Sequence, residues 1–245
     1  SVTSMDESRL IDSFSELITE KTKALYVNSP NNPTGKCISP KTFRKIIDIA
    51  DKNDLYVISD EVYRFFQYEG EPLPCDRFNY RKFILVDSFS KKHCMTGWRI
   101  GYVSASKDII SKVGKASQVG ITHVAPFVQQ AAITALKSPE AAQYAGALLD
   151  DLKVKSVAVD KELSKMKIKS VSSFGAFYRF VYLPRDLDDI GFSEFLLSEY
   201  GVCVVPGSAY GDSGKGYIRF SFAGDLSRTL EGIRRIANCI KNFSN

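Results

Sequence analysis

The sequence predicts an α/β fold, in which a mixed and mostly parallel sheet is followed by a smaller α+β domain. Three observations carry that expectation. First, Ala24-Leu25-Tyr26-Val27, Leu55-Tyr56-Val57-Ile58 and Phe83-Ile84-Leu85-Val86 are short apolar runs without polar alternation, the pattern of strands buried on both faces of a parallel sheet. Second, a helical pattern separates the first two runs. Third, the next apolar stretch comes after the third run across a loop too short for a parallel crossover, so it must return antiparallel.

Ser39 and Pro40 supply an N-cap and a first-turn proline, and Phe43, Ile46, Ile47 and Ala50 then recur at helical spacing. The segment from Arg64 to Lys82 is long enough for a crossover but has no clear period. Lys91 to Thr96 is a short loop, and Trp98-Arg99-Ile100-Gly101-Tyr102-Val103 reads as the fourth strand, with Arg99 on it. From Ile109 the pattern turns helical, and His123 beside Pro126 reads as a helix start. Pro139 opens a long helix with Leu148, Leu152, Val159, Leu163 and Met166 along one face. A strand over Ala176–Tyr182, a helix near Phe192–Tyr200, strands around Val202–Val205 and Tyr217–Phe222, and a helix from about Leu226 to Ile240 complete the chain. The expected domains are 1–145 and 146–245, bridged by the long helix.

Composition narrows the class. At 245 residues, with 44% hydrophobic and 25% charged side chains, the chain is long enough for one large or two modest domains and is not wholly disordered. A net charge of +5 with alternating signs neither demands nor excludes an anionic partner. Lys165, Lys167 and Lys169 read as a solvated face and not a nucleic-acid patch. No apolar stretch approaches the roughly 20 residues of a membrane span. The cysteines (Cys37, Cys75, Cys94, Cys203, Cys239) are odd in number and scattered, which suits reduced thiols in a cytoplasmic compartment. Two isolated histidines do not make a metal cluster; His93 and Cys94 read as surface or packing residues, and Trp98 with most Tyr and Phe as core.

Ligands of open α/β sheets bind beyond the carboxyl ends of the strands. The three runs are followed by Asn28-Ser29-Pro30-Asn31-Asn32-Pro33-Thr34-Gly35, by Ser59-Asp60-Glu61-Val62-Tyr63 and by Asp87-Ser88-Phe89-Ser90-Lys91, with Arg99 beyond. Each piece has an ordinary reading: a proline–glycine turn, a cap, a surface lysine, an edge charge. Together, in strand order, they bring an amide, a carboxylate with a phenol, and a lysine flanked by hydroxyls to one edge. A lysine is the side chain that forms an imine with an aldehyde, a carboxylate keeps a pyridine nitrogen protonated, and serines with an arginine fork hold a phosphate. The set suits a phosphorylated aldehyde held as an imine, for which pyridoxal 5'-phosphate is the obvious candidate.

At these residues the sequence resembles the class I/II aminotransferases of the fold-type I pyridoxal phosphate superfamily. The resemblance rests on the three segments above and on Thr96-Gly-Trp-Arg-Ile-Gly-Tyr102, Phe174-Gly-Ala-Phe-Tyr178, Val205-Pro-Gly-Ser-Ala-Tyr210 and Tyr217-Ile-Arg-Phe-Ser-Phe-Ala223, and it runs from about Lys23. It implies that Lys91 holds the cofactor aldehyde and shuttles a proton at the substrate Cα. It implies Asp60 at the pyridine nitrogen, Tyr63 and Asn32 at the ring oxygen, and Ser88, Ser90 and Arg99 at the phosphate. Arg219 would grip the substrate α-carboxylate, Tyr178 and Tyr210 would lie toward the substrate side, and the Asn32–Pro33 bond would be cis.

The implied activity is transfer of an amino group from an amino acid to a 2-oxo acid, of the aspartate or aromatic type, by a homodimer. A carbon–sulfur lyase or synthase on the same fold is the alternative enzyme, and a non-catalytic regulatory module is the alternative outside enzymes. Family members carry a long segment ahead of the first run, including further strands of the large domain. The chain here begins with Ser1, so it is expected to be a fragment of such an enzyme or to pair with a separate N-terminal piece. The retained strands would be neighbours in a partial sheet with both edges uncovered, and weak cofactor binding and poor solubility are expected of the chain alone.

Overall fold

The computed structural model describes residues 7–73, 79–184 and 187–243; Cys75 lies outside them. The described residues fall into two compact units, one within 7–30 and 37–149, the other within 31–36 and 150–243.

The first unit is built on strands β1 (Ala24–Asn28), β2 (Tyr56–Asp60), β3 (Phe83–Ser88) and β4 (Gly101–Ala105), in that spatial order. The first three are parallel, and β4 runs antiparallel to β3, as the short connection requires. Helix α2 (Pro40–Lys52) starts where the sequence signals it. Ser39 caps it by accepting the Thr42 N–H at 3.2 Å, and Pro40 occupies the first turn. Its Phe43, Ile46, Ile47 and Ala50 pack on Leu25, Val27 and Val57 of the sheet. The three large α2 side chains are almost fully buried, each stabilising the fold by about 1.5–3 kcal/mol.

Helix α1 (Glu7–Leu17) has no counterpart in the sequence reading. It adds Leu10, Ile11 and Phe14 to this core. Its Glu7 carboxylate accepts the Ser39 N–H at 2.8 Å and the Ser39 hydroxyl at 2.7 Å, placing negative charge at the α2 N-terminus, where the helix dipole favours it.

Burial of the strands on both faces is not observed. In β1 the exposure alternates, with Leu25 and Val27 buried and Tyr26 60% exposed, because α1 and α2 cover one face. Tyr102, on the other outer strand β4, is also exposed. Trp98 is a second correction: it is 46% exposed in a single 3₁₀ turn at Thr96–Trp98 and not in the core.

Helices α3 (Lys107–Gly120), α4 (Pro126–Lys137) and α5 (Pro139–Lys165) come next. His123 does not start α4. The helix begins at Pro126, whose ring suits the first turn, and His123 lies in the preceding turn, donating its N–H to Ile121 O. Among the described residues no helix is long and apolar enough to cross a membrane.

In the second unit, β5 (Tyr178–Tyr182), β6 (Val205–Pro206) and β7 (Tyr217–Ser221) form an antiparallel sheet in the order β5-β7-β6. The strands are shorter than the apolar runs, since Ala176 takes a left-handed conformation at φ 55° and only two residues pair at β6. Helix α6 (Asp189–Tyr200) is capped by Asp188 and stopped by Gly201 at φ 64°. Leu152, Val159 and Leu163 of α5, Phe192 and Leu196 of α6, and Ile233 and Ile236 of α7 (Leu226–Phe243) are buried. Lys165, Lys167 and Lys169 are exposed.

Arg179, on β5, is fully buried. It donates to both Asp160 carboxylate oxygens (2.7 and 2.8 Å), to Ser156 Oγ (2.6 Å) and to the Tyr178 carbonyl (3.1 Å), so its charge is paired and its N–H groups are used.

Candidate functional site

In the first unit the parallel register brings Asn28, Asp60 and Ser88 to one edge of the sheet. Asn28 is level with Asp60 and Asp60 with Val86, while Ser88 is level with Gly101 at the start of the antiparallel strand. The segments beyond these strand ends carry Tyr63, Ser90, Lys91 and Arg99. Six of the sequence-derived candidates (Asp60, Tyr63, Ser88, Ser90, Lys91 and Arg99) therefore lie at this sheet edge or on the segments that leave it.

Asp60 is held at several atoms. Its carbonyl accepts Asn28 Nδ2 at 3.1 Å and the Ser29 N–H at 3.2 Å. Its Oδ1 accepts the Val62 N–H at 3.2 Å, the capping role that the sequence allowed, and its Oδ2 accepts the Tyr26 hydroxyl at 2.6 Å. Glu61, beside it, is buried and accepts the Ser59 hydroxyl at 2.9 Å. Tyr63 is buried, and the half-buried Lys91 places Nζ 6.0 Å from the centre of its ring.

Ser88 and Ser90 form a hydroxyl pair. Their Oγ atoms are 2.7 Å apart, and Ser88 Oγ accepts the Ser90 N–H at 2.9 Å. Arg99 is not on the strand. It is an exposed left-handed residue (φ 54°) that ends the turn before β4, with Nη1 donating to Thr96 O at 3.0 Å. The chain uses this left-handed step to reverse within the short loop. It leaves Arg99 beside Ser88 and Ser90 along a cavity of about 550 Å³ that Tyr102 and Val103 also line.

Asp87 faces the same cavity, and both of its oxygens are engaged: Oδ1 by the Ser88 N–H at 2.6 Å and Oδ2 by the Tyr102 hydroxyl at 2.8 Å. Burial and that carboxylate push the Tyr102 phenol up to about 12. Close packing of β3 and β4 here needs Gly101, whose hypothetical Cβ would lie 2.7 Å from Asp87 O. His93 packs against Phe89 at 5.3 Å, and Cys94 is exposed.

The second unit holds the other two candidates. Arg219 on β7 donates from Nη1 to Asn32 Oδ1 at 2.9 Å. Its guanidinium lies 4.4 Å from the Tyr178 ring centre and 5.4 Å from that of Tyr210. Its Nε is buried without a hydrogen-bond partner, a cost that an incoming anion would remove. Burial raises the Tyr210 phenol, although the Arg219 charge opposes this.

The turn that carries Asn32 has the expected form. The Asn32–Pro33 bond is cis, as is Ser29–Pro30, and Gly35 sits at φ 68°. The Gly35 carbonyl accepts the N–H groups of Phe174 and Gly175, both at 2.9 Å. A Cβ on Gly35 would overlap Ser173 and the Gly175 carbonyl. That close approach ties Asn31–Lys36 into the second unit, which no local sequence pattern announces.

The donor set fits a phosphorylated pyridoxal: hydroxyls and a guanidinium for a dianion, an amine for an aldehyde, a carboxylate for a ring nitrogen. The partnerless Nε of Arg219 fits a carboxylate. Tyr26 was missed by the sequence reading. Its signal is the two-residue strand period, which puts Tyr26 and Asn28 on the same face of β1.

The sequence profile of the family described as Aminotransferase class I and II matches residues 6–236. The chain belongs to that family. The family match begins before Lys23 and so takes in α1, further back than the quoted motifs reach. The chain is 38% identical to the aspartate aminotransferase of Pyrococcus abyssi and 35% identical to the aromatic-amino-acid aminotransferase 2 of Thermococcus litoralis, in each case over 96% of its own length. It spans 62% of the length of either relative. Among solved structures, the aromatic aminotransferase from Pyrococcus horikoshii superposes with a TM-score of 0.91 at 37% identity, over 98% of this chain and 65% of that one. The mixed sheet is therefore that of a fold-type I aminotransferase.

Proposed function

We propose that the protein transfers an amino group from an amino acid to a 2-oxo acid with pyridoxal 5'-phosphate as cofactor. The observation that carries this reading is the delivery of Asp60, Ser88 and Lys91 by the ends of adjacent strands. When bound, the cofactor supplies an electron sink for the negative charge left at the substrate Cα.

The remaining work belongs to the chain. Lys91 is the amine that would hold the cofactor aldehyde; once displaced there by the substrate amine, its freed Nζ would take the proton from the substrate Cα and return it to the former aldehyde carbon, on the far side of the amino nitrogen. Asp60 keeps the ring nitrogen protonated, Tyr63 and Asn32 donate to the ring oxygen, and Ser88, Ser90 and Arg99 hold the phosphate. Arg219 binds the substrate α-carboxylate through its fork, which fixes the Cα–H bond in orientation. The domain reading assigns the four-stranded unit to the cofactor and the other to the small domain. Substrates of the aspartate or aromatic type are supported by the names of the relatives. Assembly as a homodimer is part of the same reading, supported by the exposed Val119, Ile121, Phe127 and Leu136. A cytoplasmic location is supported by the free thiols of Cys94, Cys203 and Cys239.

The test is borohydride reduction of the protein with pyridoxal phosphate, peptide mapping, and an amino-acid assay with and without 2-oxo acid. A label on Lys91 and turnover that depends on the 2-oxo acid are expected. Product without any 2-oxo acid would replace transfer by elimination. No label would remove the cofactor reading.

A further inference from the structure

We propose that Tyr26 is a positioning residue for Asp60, its hydroxyl fixing the plane in which the carboxylate is presented to the cofactor's ring nitrogen. The inference rests on the cofactor reading above and assigns a role to a residue outside the aminotransferase motifs.

The strand geometry supplies the argument. Asn28 is the register partner of Asp60 on the neighbouring parallel strand, and Tyr26 is that of Ile58. Side chains two residues apart on a strand share a face and stand roughly 7 Å apart along it. A tyrosine is long enough to span that distance, and the Tyr26 hydroxyl reaches Asp60 Oδ2 at 2.6 Å. A short bond from a phenol to a carboxylate is of the strong, charge-assisted kind.

The surroundings leave this bond a defined task. The Asp60 backbone is already fixed, since its carbonyl accepts from Asn28 Nδ2 and the Ser29 N–H. Oδ1 takes the Val62 N–H at 3.2 Å, a long contact that constrains one oxygen only. Tyr26 supplies the second, shorter constraint, and two constraints define a plane. Each carboxylate oxygen has a further lone pair, so the two protein donors leave room for a ring N–H.

A packing role accounts poorly for the residue. Tyr26 is 60% exposed, whereas Leu25 and Val27 on either side of it are buried in the core. The ring adds little to stability, and its polar atom has a specific partner. Burial of the hydroxyl end and the bond to Asp60 raise the phenol above its usual value, so it remains a donor at working pH.

The experiment compares the protein with Tyr26→Phe, which keeps the ring and removes the hydroxyl. Cofactor affinity is measured by absorbance titration, with borohydride labelling of Lys91 as the check on the underlying reading. Tyr26→Phe is expected to weaken pyridoxal phosphate binding about three- to tenfold while thermal unfolding stays close to that of the parent. In an Asp60→Asn background the same change should have little further effect, because the group it positions is altered. With N-methylated pyridoxal phosphate, whose ring nitrogen has no proton to present, the two proteins should bind alike.

Equal affinity of parent and Tyr26→Phe for pyridoxal phosphate, with Lys91 labelled in both, would overturn the proposal and leave the cofactor reading intact. So would a loss of the same size with the N-methyl cofactor or in the Asp60→Asn background, since it would mark a general structural effect. Failure of the parent to bind or label would overturn the cofactor reading and this proposal with it.

Discussion

Arg219 and Arg99 are both assigned to an anion, and the chain prepares them in different ways. Arg219 lies against the rings of Tyr178 and Tyr210, is tied to Asn32, and has its Nε buried without a partner. Arg99 is exposed, at the end of a left-handed turn, and is restrained by one bond to a carbonyl. The first guanidinium has lost most of its freedom before a ligand arrives, so binding need not supply that ordering. The second keeps its freedom and lines one cavity with the Ser88 and Ser90 hydroxyls, with which it would share a phosphate on the proposed reading. Burial, more than formal charge, should set how much each contributes.

The largest expected effect is at Arg219. Arg219→Ala should lower kcat/KM for an α-amino acid by about 10²–10³-fold, a loss of the size measured for truncated buried charge pairs. Arg219→Lys should recover only part, since a point charge cannot reproduce the fork. Steady-state kinetics decides both. A loss at Arg219 no greater than that at Arg99 would break the comparison.

Arg179 sharpens it from the stability side, being as buried as an arginine can be and fully partnered. Asp160→Ala should cost roughly 2–4 kcal/mol in chemical denaturation, because it strands a buried guanidinium with fewer acceptors. Exposed Arg99 comes next in size. Arg99→Ala should weaken cofactor affinity by about three- to tenfold, the modest value of a solvent-screened ion pair, and the loss should shrink in high salt.

The smallest effect is at the cavity wall beside Arg99. The Tyr102 phenol is raised to about 12, above the ordinary tyrosine value of 10.0. A raised value, set by burial first and by the Asp87 carboxylate second, means that the neutral phenol's contribution to the fold is complete below pH 10 and is lost as pH climbs toward 12. Ultraviolet titration of tyrosinate should show several late phenols, and one fewer in Tyr102→Phe. An unchanged curve would disprove the assignment.

The order of strands was legible because apolar runs and loop length are local quantities. So were α2, with its Ser39-Pro40 start, and the polar segments after each run, since the carboxyl ends of neighbouring parallel strands share one edge of the sheet. Three things were not legible. An apolar run does not reveal where a left-handed residue breaks it, so Arg99 reads as part of a strand that in fact starts two residues later. The placement of Asn31–Lys36 depends on carbonyl contacts from Gly35 to Phe174 and Gly175, far along the chain. Tyr26 reads only as part of an apolar run, because its partner is set by register between strands and not by sequence distance.

In β5, the proposed substrate side and a buried ion pair share one stretch of backbone. Tyr178 and Phe180 lie on the side of the strand that faces Arg219, and Arg179 between them turns the other way toward Asp160 and Ser156. A substitution at either position changes one of these faces at a time. An inserted or deleted codon inside the strand would exchange both at once, sending a guanidinium to the tyrosine side and an aromatic ring into the polar nest. Change in chain length should therefore be far less tolerated between residues 178 and 182 than change in residue type, and an insertion scan across this strand would show it as a gap.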